Sequence, residues 1–114
     1  MMDQSQLAHR FHADMVEGIR TLSRQIGYRA PRFAQMVNEH GGVEAVRRLL
    51  QGPGTSEGFV TLYQHNKLGM SVEAWVLRPE YEPLFTEHER SVARRRLTDH
   101  HFDVERYLRS LAAS

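Results

Sequence analysis

The sequence predicts an all-α protein: a compact bundle of six or seven mostly short helices with a longer N-terminal helix. Three observations carry this. Apolar residues recur at spacings of three and four rather than two. Glycine and proline fall between the periodic segments rather than inside them. Ser, Thr or Asp stands ahead of several segments, where a side-chain oxygen can cap a helix. No stretch alternates apolar and polar with β-branched residues, so no sheet is expected.

Each element follows from its own residues. Leu7, Phe11, Met15, Ile19, Leu22 and Ile26 make a narrow apolar stripe on one helix over 5–26, which Gly27 stops. Pro31 suits the first turn of a second helix, with Phe33, Met36 and Val37 on its apolar face and Gly41-Gly42 at its end. Val43, Ala45, Val46, Leu49 and Leu50 form a third, closed by Gly52-Pro53-Gly54. A fourth carries Phe59, Val60, Leu62 and Tyr63 behind a Thr55 or Ser56 cap, and "HNKLG" reads as a turn. Ser71 caps a fifth with Val72, Trp75, Val76 and Leu77, which stops before Pro79. "RPEYEP" reads as an irregular connection. Thr86 and Glu89 spell a capping box for a helix running to about Thr98. Asp103 caps a last helix with Val104, Tyr107, Leu108 and Leu111. The connections are too short for two domains, so one domain over 1–114 is expected: the long helix, then a helical body over 28–112.

Composition narrows the function classes. The chain has 114 residues, 40% apolar and 25% charged, which suits a globular domain rather than a disordered segment. Without cysteine there are no disulfides and no thiolate metal sites. The start "MMDQSQLAHR" is not a signal peptide, and no apolar run spans a bilayer. A cytoplasmic protein with no membrane partner is expected. A net charge of +1 argues against a dedicated polyanion binder, although fourteen of the fifteen basic residues are Arg.

Several residues invite a chemical reading. "GTSEG" matches the G-x-S-x-G of a hydrolase elbow around Ser56. Such an elbow needs a strand before the serine, and here a helix precedes it, so Ser56 reads as a helix cap. His9 and His12 share a helix face, but a metal needs further ligands, so no metal and no other cofactor is expected. His100 and His101 stand at a helix end, where they can meet free carbonyls. Trp75 reads as core or interface edge, and Glu73 as a first-turn carboxylate favoured by the helix dipole. On a wheel of about 100° per residue, Arg94, Arg95 and Arg96 fan out. Arg96 falls on the apolar side with Glu89 and reads as a structural arginine in need of an acceptor. Thr86 and Ser71 are structural in the same sense.

"GYRAPRFAQMVNEHGGVEAVRRLL" and "TSEGFVTLYQHNKLGMSVEAWVLRPEYEPLFTEHERSVARRRL" together carry a combined motif. Its positions are Tyr28, Pro31, Phe33, Met36 and Val37, then Gly41-Gly42-Val43, then Ser56, Gly58 and Phe59. Leu68, Ser71-Val72-Glu73-Ala74 and Leu84-Phe85-Thr86 with Glu89 complete it. Over about two thirds of the chain this resembles an uncharacterised bacterial all-helical module, sometimes appended to nuclease- or restriction-like proteins. The chain departs from that pattern near Gly69, where the module has an acidic residue. The resemblance implies a helical fold and no catalytic residue.

Two functions are weighed. The favoured one is a non-enzymatic protein-interaction or adaptor module. Its partner is another protein, or a second copy meeting Phe11, Met15, Leu22 and Ile26 of a detachable first helix. The alternative is a small helical DNA-binding module of a restriction- or defence-like system, using Arg90, Arg94 and Arg95 with Arg47 and Arg48.

Overall fold

A computed structural model of the chain describes residues 2–113. Every regular element among them is helical. The α-helices are α1 Gln4–Ile26, α2 Pro31–His40, α3 Gly42–Gln51, α4 Glu57–Gln64, α5 Val72–Val76, α6 Glu87–Asp99 and α7 Val104–Ala113. Two 3₁₀-helices, Leu68–Met70 and Pro79–Leu84, bring the helical segments above the six or seven expected. They occupy the stretches read from sequence as a turn and an irregular connection. Pro79 and Pro83 lack N–H groups, so an α ladder cannot propagate through the second of them.

The chain divides into two compact units, Met1–Gln51 and Gly52–Ser114. The division falls after α3. Within the first unit α1 packs on α3 and α2.

In the first unit, α1 begins with a capping box the sequence reading missed. The Asp3 carboxylate accepts from the Gln6 amide at 2.8 Å, and the Gln6 side-chain oxygen accepts from the Asp3 amide at 3.0 Å. Gly27 ends α1 in a left-handed conformation, φ 70°, with its N–H donating to the Ser23 carbonyl. Leu7, Phe11, Met15 and Leu22 are buried, as are Val37 of α2 and Ala45, Val46 and Leu50 of α3. Gly42 opens α3 instead of closing α2. A Cβ on Gly42 would stand 2.9 Å from the His12 Cα, so α1 and α3 meet backbone to backbone. Ala30 enters α2 with φ 46°, a conformation that costs a residue with a Cβ about 1 kcal/mol.

In the second unit, α5 packs on α6 and on both 3₁₀-helices, α4 packs on the first 3₁₀-helix, and α6 packs on α7. Phe59, Val76, Leu77, Tyr81, Ala93 and Leu97 are at most 2% exposed and form the centre. The helix starts are capped where the sequence has the donors' acceptors. Ser56 accepts from the Phe59 amide, Ser71 from Ala74, Thr86 from Glu89, and Asp103 from Arg106.

Candidate functional site

Within the second unit, buried polar groups converge on Arg96. Its position on the apolar side of α6 forces the guanidinium inward, where it must find acceptors. One Nη donates to Glu73 at 3.2 Å and the other to the Gly52 carbonyl at 2.7 Å. Glu89, on the same side of α6, serves the helix start. Its carboxylate accepts from the Thr86 amide at 2.8 Å and closes the capping box. Glu73 is 1% exposed, and its Oε1 has no hydrogen-bond partner. Burial pushes the Glu73 carboxyl above its ordinary value. Its own backbone amide, Arg96 and His100 pull the other way without reversing the shift. His100 donates from Nδ1 to the Arg96 carbonyl at 2.8 Å, and its ring meets the edges of Phe59 and Tyr63 at 4.8 and 5.2 Å.

A second group surrounds Trp75, which is half-buried. The Arg78 guanidinium lies 3.7 Å above the indole ring, and its Nε donates to the Tyr107 hydroxyl at 3.1 Å. Burial raises the Tyr107 phenol above its ordinary range, with Arg78 opposing. A Cβ at Gly69 would lie in ordinary van der Waals contact with the Tyr107 ring at 3.7 Å, beside Phe102. Sequence reasoning missed Arg78 and Tyr107 because they lie 29 residues apart.

Of the predicted nucleic-acid arginines, Arg47 and Arg48 lie in the first unit and Arg90, Arg94 and Arg95 in the second. Arg94 pairs with Glu105 at 2.7 Å and Arg48 with Glu44 at 3.5 Å. Arg90 donates to the Val76 carbonyl at 3.4 Å, and Arg47 is half-buried. Arg95 alone of the five is exposed with a guanidinium that no acid or carbonyl engages among the described residues. The predicted self-association stripe lies inside the first unit. Phe11, Met15 and Leu22 are 0, 3 and 6% exposed, and Ile26 is half-buried. Ser56 caps α4. His12 holds the start of α3. Its Nδ1 accepts from the Gly42 amide at 3.0 Å, and His9 is exposed.

What remains open to a partner is a face of α4. Val60 and Tyr63, three residues apart and so adjacent on the helix, are 41 and 46% exposed. The only other large apolar side chain so exposed among the described residues is Met2. None of these helices is long and apolar enough to cross a membrane.

No family model, no curated protein and no solved structure matches the chain.

Proposed function

We propose that this chain is a non-enzymatic protein-interaction or adaptor module that docks its partner on the outer face of α4. The observation that carries the reading is the pair Val60 and Tyr63, left in water where neighbouring apolar residues are buried. Tyrosine is a favoured anchor at protein interfaces. The Tyr63 ring is held against His100, so little freedom is lost when a partner covers it. Ser56, His12, His100 and Glu73 each hold the fold: Ser56 as a cap, His12 on Gly42, His100 on Arg96 and Glu73 on Arg96.

The test is a photo-crosslinking amino acid at position 63, with position 35 on α2 as the control. A discrete adduct at 63 that Val60→Asp abolishes supports the docking face. The same adducts from both positions, or none at 63, count against it. An adduct of the chain with itself identifies the partner as a second copy.

The alternative, a DNA-binding module in a restriction- or defence-like system, draws on Arg95 and on the chain's abundance of arginine. The ion pairs of Arg94 and Arg48 weaken it.

A further inference from the structure

An open groove of about 740 Å³ runs along the second unit between the Pro79–Leu84 3₁₀-helix and the start of α6. Pro79, Pro83 and Phe85 line it, and Glu82, Glu87 and Arg90 supply its charges. The two prolines contribute no N–H donors, so the wall is rigid, apolar and accepting. Phe85 is 6% exposed, so its ring belongs to the core and offers a fixed floor rather than a mobile side chain.

The charge pattern selects the occupant. Residues 79–89 hold Glu80, Glu82, Glu87 and Glu89 and no Arg or Lys, in a chain whose net charge is +1. The two glutamates outside the groove are engaged. Glu80 stands 4.0 Å from Arg78, and Glu89 accepts from the Thr86 amide. The two that line it, Glu82 and Glu87, are exposed, and neither carboxylate has a hydrogen bond or ion pair among the described residues. Arg90 adds one positive charge to the same lining, its Nη1 donating to the Val76 carbonyl at 3.4 Å, so two carboxylates stand there against one guanidinium. The groove therefore presents acceptors and negative charge over an apolar floor. We propose that it docks a short cationic segment of a partner protein, one that places Arg or Lys on Glu82 and Glu87 and an apolar side chain against Pro83 and Phe85. This surface stands on observations separate from the α4 face, and either could fail alone.

The test uses the full chain and three fluorescein-labelled probes: peptides alternating Arg with Leu, Arg with Ser, and Glu with Leu. Fluorescence anisotropy is followed at low and at physiological salt. The Arg-Leu peptide is expected to bind saturably and more weakly as salt rises, because the contacts are exposed ion pairs. The Glu-Leu peptide is expected not to bind, and the Arg-Ser peptide to bind less tightly than Arg-Leu. The double substitution Glu82→Gln and Glu87→Gln, on the surface and harmless to folding, should weaken Arg-Leu binding about tenfold. Glu57→Gln, which removes an exposed glutamate of α4, should leave it unchanged. Absence of Arg-Leu binding at low salt overturns the proposal. So does equal binding of Arg-Ser, which would reveal an acidic patch without a groove. Equal losses in Glu57→Gln and the double variant would show diffuse attraction and overturn it as well. A change in sedimentation of the unliganded double variant would make the groove a contact between copies of this chain, and would also overturn it.

Discussion

Arg96 makes two bonds through one guanidinium group, to Glu73 at 3.2 Å and to the Gly52 carbonyl at 2.7 Å. Removing either partner of a buried pair leaves the other charge without compensation. Arg96→Met should therefore destabilise the second unit by about 3–5 kcal/mol at neutral pH, read from urea unfolding. A loss under about 1 kcal/mol would mean that the pair does little for the fold. The same carboxyl fixes a pH dependence. Its folded-state value lies above the ordinary 4.5, so the folded chain holds this proton more tightly than the unfolded chain. The stabilising contribution is full below 4.5 and is lost as pH rises from there through the raised folded value. Glu73→Gln has no such proton. The stability difference, wild type minus Glu73→Gln, should fall as pH rises through that window and stay level below it. A difference that rises with pH would show that Arg96 outweighs burial. Ser56→Ala should cost about 1 kcal/mol, the worth of a cap, in the same unfolding assay.

At the scale of elements, α1 is bound to its own unit. Met15 and Leu22 are buried, so a charge there must be taken out of water. Met15→Asp or Leu22→Asp should lower the melting temperature seen by circular dichroism and unfold α1 with its neighbours. A folded variant that merely changed its oligomeric state would restore the picture of a detachable arm. The crossing of α1 with α3 makes a sharper claim. Alanine is ordinarily the better helix former, but a Cβ at Gly42 would meet the His12 backbone at 2.9 Å. Backbone cannot swing aside as a side chain can. Gly42→Ala should thus destabilise by about 1–3 kcal/mol, and a stabilised variant would mean that the helices can separate freely. These elements also show what periodicity conveys. The stripe of α1, the cap at Ser56 and the box at Thr86 and Glu89 are local patterns, and the sequence alone displays them. The partner of Arg96 is not local. Glu73 lies 23 residues away, and a helical wheel offers only neighbours on the same helix, such as Glu89. The two 3₁₀-helices escaped for another reason: segments so short carry no measurable period.

At the scale of the whole molecule, charge is where the two functions weighed from the sequence make different predictions. The helical class was legible because periodicity and breakers agree along the entire chain. The surface was not, since it depends on which charges the fold pairs. The chain has fourteen arginines, and several of them stand beside carboxylates. Arg94 faces Glu105, Arg48 faces Glu44, and Arg24 faces Glu17. A guanidinium already paired with a carboxylate releases few counterions when it meets a phosphate. Each phosphate contact contributes a slope of about −0.9 when log K for duplex DNA is plotted against log salt. With Arg95 alone disengaged among the five predicted contacts, the slope should be no steeper than about −1, and binding at physiological salt should vanish. The measurement is a titration of the full chain into labelled random-sequence duplex at several salt concentrations. A slope of about −4 or steeper would mean that several arginines contact phosphates together. That outcome would promote the DNA-binding reading over the protein-interaction one. Arg95→Ala would then be expected to remove only one unit of the slope, whereas for a shallow slope it should abolish what binding there is.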